Sequence, residues 1–324
     1  MQELMVYAGQ LDSYSQGNEI LKEMIGVEVS CTQHYRVTDA YGAAASSVVN
    51  ETRTLSPLQQ GEVLYVQADG SFVLTRDEGW KEVKLGRFFK SGDCMEVSEE
   101  RGWIRHSQYV VHLGERKIFT STMDELIESY GPLGERLIFV SDGGVWLKNW
   151  MSDAFPKTVQ ILDFYHVLEY LHDFSSAHFK TTAKAKVWVQ KQKEMLLKSQ
   201  VKKVLHNIRR LKTTHKEAFE KIIQYFESNI ERMDYSRYLK LGCGIIGSGA
   251  IESAHRTVIQ HRMKQAGQRW TTTGAQRMLN LRVIKENGQW ARIIDMATYG
   301  FKASIRQLMP QDVSIPAHTK SSYE

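Results

Sequence analysis

Apolar and polar positions change rhythm along the chain, and each change marks an element. Residues 1–48 carry helical spacing, with Glu19–Ile25 followed by Gly26, then Val27–Ser30, then Cys31–Thr38. Gly26 is suited to end one helix and Ser30 to cap the next. Two short helices around such a turn fit a helix-turn-helix, and equally a small helical packing unit. Residues 50–61 form a polar linker containing Thr54, Ser56 and Pro57. Strand patterns follow over Val63–Asp69, continued by Ser71–Thr75, then over Lys81–Phe89 and Trp103–His112. Thr122–Tyr130 returns to helical spacing. Arg136–Asp142 is short and almost wholly apolar, as in a buried sheet centre. Val145–Phe155 predicts a helix and Thr158–Leu162 another buried strand. Three strands, a helix, a strand, a helix and a strand make a mixed α/β sheet with helical cover. From His166 to Tyr238 only helical spacing is found. A glycine-rich break, Cys243–Gly249, precedes a helix over Ala250–Ala266 that Gly267 ends, and Thr273–Glu286 predicts one more. Pro310–Glu324 is a polar tail.

Length and composition narrow the class. A chain of 324 residues suggests about two domains. With 42% hydrophobic and 24% charged residues it is neither a disordered tail nor a fibrous repeat. No run of about 18 uncharged apolar residues predicts a membrane span, and the first residues lack a signal-peptide pattern. Cys31, Cys94 and Cys243 lie far apart in sequence, which excludes a disulfide framework and a cysteine-rich zinc module and fits a reducing cytoplasm.

The net charge of +5 is mild, but its distribution is not. Lys180–Lys212 holds eleven basic residues against Glu194 alone, and Ser253–Lys285 holds seven with no acid. Two such blocks suggest a polyanion, most often nucleic acid, with Lys202, Lys203, Arg209 and Arg210 as candidate contacts. The alternative is the solvated face of a long helix, although such faces usually mix both signs.

Three acids stand out by context. Asp69 closes an apolar strand, Asp142 closes another, and Glu252 opens a helix after Gly247-Ser-Gly-Ala-Ile. Two acids on neighbouring strands, with a third brought in by a helix, can share one or two divalent cations, and carboxylate oxygens suit Mg²⁺ or Mn²⁺. Each also has a purely structural reading: an Asp69-Gly70 hairpin turn, an Asp142 cap, and an ion pair of Glu252 with Arg256. On the Glu252 helix, His255, Arg256, Arg262 and Lys264 are candidate phosphate contacts, the first two near the face of the carboxylate. Trp270 reads as core rather than as a stacking platform.

Val140-Ser-Asp142-Gly-Gly-Val-Trp146, Leu162-Asp163-Phe-Tyr-His166-Val-Leu-Glu169 and Gly247-Ser-Gly-Ala-Ile-Glu252-Ser-Ala-His-Arg, continuing to Trp270, resemble the ISKra-type branch of bacterial insertion-sequence transposases. Asp163-x-x-His166 also resembles a motif of the Mutator-like transposases. The resemblance covers roughly residues 1–295. It implies a DDE enzyme with an RNase H-like core and an all-helical insertion between Asp142 and Glu252. It also implies Asp69, Asp142 and Glu252 holding two Mg²⁺ or Mn²⁺ ions, and Asp163 with His166 as an auxiliary motif. The expected activity is cleavage of double-stranded DNA and 3′-hydroxyl strand transfer, by a homo-oligomer on nucleoid DNA in the bacterial cytoplasm, with no organic cofactor and no membrane. The implied organisation is a helical segment over 1–50, core over 60–166, insertion over 167–244, core again over 245–295 and a tail over 296–324. Members of this branch usually carry a longer N-terminal region. That favours a competing expectation, a truncated or domesticated DNA-binding protein, and a separate one is a metal-dependent nuclease without strand transfer.

Overall fold

The structure, a computed structural model, describes residues 1–49, 56–98 and 101–300, so half of the expected linker, residues 50–55, and the polar tail Pro310–Glu324 lie outside the described residues. The chain opens with three helices, α1 (Gln2–Leu11), α2 (Tyr14–Ile25) and α3 (Cys31–Val49). Gly26 ends α2 in the left-handed region, and Ser30 accepts the Gln33 N–H at the start of α3. Both expectations hold, but α3 runs for 19 residues rather than as a short helix.

The first sheet strand, β1 (Leu64–Thr75), is continuous through Asp69 and Gly70. The hairpin turn expected there is absent. The chain reverses after Thr75 into β2 (Gly79–Lys90), and Asp69 sits mid-strand opposite Leu85. A small hairpin follows, β3 (Cys94–Ser98) with β4 (Arg101–Ile104), then β5 (Gln108–Leu113). The span expected as one strand over Trp103–His112 is thus two strands in two different sheets. Next come α4 (Arg116–Glu128), β6 (Leu137–Ser141), α5 (Val145–Ala154) and β7 (Val159–Leu162). The five-stranded sheet has the order β5-β2-β1-β6-β7, with β2 alone antiparallel to its neighbours.

Period-two alternation sorts the side chains of β1 between two cores. Leu64, Val66 and Ala68 pack with Phe139 under α4 and α5. Tyr65 points the other way, with Ile138 and Val140, beneath a helical block. That block is α6 (Phe164–His178), α7 (Thr182–Leu197), α8 (Val201–Arg210), α9 (Lys216–Asn229) and α10 (Tyr235–Tyr238). Farther along the same face, Val73 and Leu85 pack under a helical rod and under α13 (Thr272–Glu286). The rod is α11 (Gly249–Ala254), a π-helical stretch over His255–Gln260, and α12 (His261–Met263). Helices therefore cover both faces of the sheet.

The N-terminal helices share a core with the C-terminal ones: Val6, Tyr41, Ala45 and Val48 pack with Leu281 and Ile284 of α13 and with Ile293 of α14 (Ala291–Tyr299). Cys94 and Cys243 also meet, with their sulfurs 2.7 Å apart as free thiols. No helix among the described residues is long and apolar enough to cross a membrane.

Candidate active site

The parallel register sets two of the acids level. Leu64 pairs with Leu137 and Gln67 with Val140, and the same offset carried two residues on puts Asp69 beside Asp142. Neighbouring strands lie about 5 Å apart. Asp142 follows the last residue of β6, and its Oδ1 accepts the Gly144 N–H at 2.9 Å, capping the turn into α5.

Glu252 arrives on α11, which two buried side chains dock against the sheet. Gln67, fully buried on β1, donates from Nε2 to the Gly247 carbonyl (3.0 Å) and accepts the Ile251 N–H on Oε1 (2.9 Å). Asp163, equally buried, caps α6 by accepting the N–H groups of Tyr165 and His166 through Oδ1. Its Oδ2 accepts the Ser248 N–H at 3.0 Å and the Ser248 hydroxyl, which also reaches Glu252 Oε1 at 3.0 Å. Asp163 thus joins the start of the helical block to the helix bearing Glu252. Beside it the Phe164 N–H donates to the Ile246 carbonyl at 3.0 Å, closing the excursion between these residues. Gly247 lets the Tyr165 ring lie close, since a Cβ there would stand 2.5 Å from that ring and displace it. The expected Glu252–Arg256 ion pair is not formed among the described residues, and Ser248 takes its place.

The three carboxylates and His166 belong to one electrostatic neighbourhood. Asp69 is pushed up to about 6, chiefly by burial. The Gly70 N–H opposes the rise, Asp142 and Glu252 add to it, and His166 lowers it. Desolvation and nearby like charge both favour a protonated carboxyl. His166 is half-buried and lies 3.3 Å from Glu169. No Lys or Arg side chain among the described residues forms an ion pair with Asp69, Asp142 or Glu252. As the side chains stand, no three His, Cys, Asp or Glu groups among the described residues are gathered as metal ligands. The donor chemistry fits a hard divalent cation: three carboxylates in one neighbourhood, each accepting an internal hydrogen bond through a single oxygen.

The basic candidates divide. His255 is buried, with Nε2 3.5 Å from Asp69 and neither ring nitrogen hydrogen-bonded among the described residues. Burial, then Lys264, pushes it down to about 4, so it is a neutral ring beneath Asp69 rather than a cationic phosphate contact. Lys264 is exposed and lies within the field of Asp69, while Arg256 is exposed. Arg262 corrects the expectation of a phosphate contact. It is 1% exposed, its Nε donates to the Gly9 carbonyl at 2.7 Å, and it lies over the Tyr14 and Trp270 rings. Arg282 likewise binds the Gln10 carbonyl, and Arg277 pairs with Asp39 at 2.5 Å. Much of the Ser253–Lys285 charge therefore fastens the N-terminal helices. The Lys180–Lys212 block behaves differently: ten of its eleven basic residues are exposed, including Lys202, Lys203, Arg209 and Arg210. Of these, Arg209 pairs with Glu227.

Two supporting residues escape sequence reasoning, Gln67 and Arg232. Arg232 is buried and donates to the Ser141 hydroxyl at 2.7 Å and to the Ser141, Asp142 and Ile161 carbonyls. It fixes the ends of β6 and β7 next to Asp142. Neither residue sits in a motif, and only the fold brings them to their carbonyls.

A family described as an uncharacterised protein family, UPF0236, matches residues 3–298. A protein of Streptococcus gallolyticus described as a UPF0236 protein in the vanSb 3′ region is 25% identical over 265 residues, covering 78% of this chain and 55% of that protein. The chain spans about half the length of that curated relative.

Proposed function

The chain belongs to the uncharacterised protein family UPF0236, and we propose that it is a DNA-processing enzyme of the DDE transposase type, cleaving and joining DNA strands at Asp69, Asp142 and Glu252. One observation carries the reading: three carboxylates from β1, the end of β6 and α11 share one electrostatic neighbourhood, and Asp69 is raised to about 6, chiefly by burial and further by Asp142 and Glu252. An RNase H-like core is supported by the run of three sheet strands, helix, strand, helix and strand, followed by an all-helical insertion before the Glu252 helix.

Asp69, Asp142 and Glu252 would hold Mg²⁺ or Mn²⁺, two ions in the full assembly. When bound, such ions supply positive charge at the scissile phosphate and lower the pKa of the attacking water or 3′-hydroxyl. The chain's own residues do the rest. Gln67 and Asp163 hold the Glu252 helix in place, and Arg232 holds the Asp142 turn. His255 stays neutral against Asp69 and shields one side of it from water. Lys264 and Arg256 offer exposed charge beside the acids for DNA phosphates. The exposed lysines and arginines of α7 and α8 extend that surface for double-stranded DNA on the bacterial nucleoid.

The test is cleavage and joining of labelled duplexes carrying candidate element ends, with Mg²⁺, Mn²⁺ or EDTA, beside Asp142→Asn. Metal-dependent nicking that Asp142→Asn abolishes is the expected result, with 3′-end joining separating a transposase from a plain nuclease. Binding without nicking in parent and variant alike would leave a DNA-binding protein that has lost its chemistry.

A further inference from the structure

Away from the acids, a cavity of about 320 Å³ opens between the N-terminal helices and the Gly267–Thr271 loop. Its walls include three aromatic rings, Tyr14, Tyr35 and Trp270, and its charged residues include Arg76, Arg262 and Arg269. Tyr14 and Tyr35 meet edge to face with centroids 5.8 Å apart. Arg262 is held between Tyr14 and Trp270, 5.0 and 4.9 Å from their centroids, which fixes both rings. Trp270 is fixed further by its Nε1 bond to the Met263 carbonyl (3.1 Å) and by main-chain bonds to Leu74 and Arg76. Arg76 and Arg269 are exposed, and their side chains have no partner among the described residues. The one acid in the lining, Asp39, is neutralised by Arg277.

Rigid flat walls take a planar ring, and unpaired guanidinium groups take a phosphate. The volume is near the lower end of small-molecule sites, enough for one nucleotide. A base stacked within a duplex offers no free face, so the ligand must be unstacked. We propose that this cavity binds a single unpaired nucleotide of the DNA strand engaged at the acidic site, its base against Tyr14, Tyr35 and Trp270 and its phosphate at Arg76 and Arg269. This inference rests on the DNA-processing reading. The location agrees with it: Trp270 bridges to Thr75, six residues beyond Asp69 on β1. At about 3.3 Å per strand residue the separation is about 20 Å. At 3.4 Å per nucleotide that is about six stacked nucleotides from the acids.

The experiment measures equilibrium binding by the full chain in EDTA, so that no cleavage enters. The probes are a blunt duplex, the same duplex with a single-stranded extension carrying 2-aminopurine, and deoxyadenosine monophosphate. The variants are Tyr35→Ala and Arg269→Ala, both at exposed side chains, with Trp270→Phe as a conservative third. The parent should prefer the extended duplex and alter the 2-aminopurine emission. Tyr35→Ala and Arg269→Ala should each weaken that complex about tenfold while leaving blunt-duplex binding unchanged. Arg269→Ala should also reduce the salt slope by about one. Equal weakening on both duplexes, or none on either, overturns the proposal. Monophosphate bound as tightly as the extended duplex overturns the assignment to a DNA strand. If the parent never nicks DNA yet Tyr35→Ala still loses the extended duplex, the enzymatic reading fails and the pocket stands.

Discussion

Replacing Gln67 with methionine tests whether one buried amide holds the Glu252 helix to the sheet. Methionine fills a similar volume and keeps the apolar packing, so the change isolates the two hydrogen bonds. They are not equivalent. The Ile251 N–H has a second acceptor, the Ser248 carbonyl at 2.9 Å, and keeps it in the variant. The Gly247 carbonyl loses Gln67 Nε2, its donor at 3.0 Å. An orphaned buried acceptor costs about 1–3 kcal/mol, and half of a shared bond adds a few tenths, so Gln67→Met should destabilise the protein by about 2 kcal/mol. Urea denaturation reads this as a lower midpoint with an unchanged slope. Hydrogen exchange at the Ile251 amide should accelerate beyond the global loss, because the helix start loosens first. Stability within about 0.5 kcal/mol of the parent, with Ile251 still protected, would refute the claim that Gln67 docks this helix.

Two further outcomes follow from the same site. Because the Asp69 carboxyl is raised to about 6, its contribution to stability is present below the unfolded value near 4 and is lost as pH rises through 6. Asp69→Asn should therefore be more stable than the parent at pH 8 in EDTA and indistinguishable at pH 4. The two-unit rise corresponds to about 3 kcal/mol, which solvent screening of a side chain 44% exposed reduces to about 1 kcal/mol. Urea midpoints at the two pH values decide it, and a gain that does not change with pH sinks the argument. Asp163→Ala removes a helix cap and strips the buried Ser248 N–H of its side-chain acceptor, so it should cost about 3 kcal/mol. A loss under about 1 kcal/mol by denaturation would show that Asp163 does not join α6 to the Glu252 helix.

The sheet is legible because some of its strands are almost wholly apolar and others alternate. Leu137–Ser141 and Val159–Leu162 are recognisable from the first property, and Gly79–Lys90 from the second. Asp142 does stand at the end of a strand, as the pattern predicts, whereas at Asp69 the adjacent glycine mimics a turn that the β2 pairing overrides. Periodicity identifies which face a residue occupies but not which carbonyl waits there. Gln67 and Arg232 therefore carry no sequence signal, and Arg262 has the pattern of surface charge although the Gly9 carbonyl and two aromatic rings enclose it. The β3–β4 hairpin is not legible because an isolated pair of short strands carries little apolar pattern.

The helical block leaves and re-enters the sheet at a single point, where the Phe164 N–H meets the Ile246 carbonyl. Everything between those residues is a cassette with both ends clamped together. Its length enters the fold mainly through loop closure, and a doubling costs only about 0.6 kcal/mol. Evolution can enlarge, trim or exchange the outer helices of such a cassette while Asp69, Asp142 and Glu252 keep their places, provided that the clamp and Arg232, which holds the Asp142 turn from inside the cassette, are retained. Relatives that keep Asp163, Ser248 and Gln67 are then free to vary α7 to α9, and with them whatever long-range grip the basic surface has. Grafting a foreign helical hairpin in place of α7 and α8, with Arg232 kept, is accordingly a route to altering what the protein holds without rebuilding its centre.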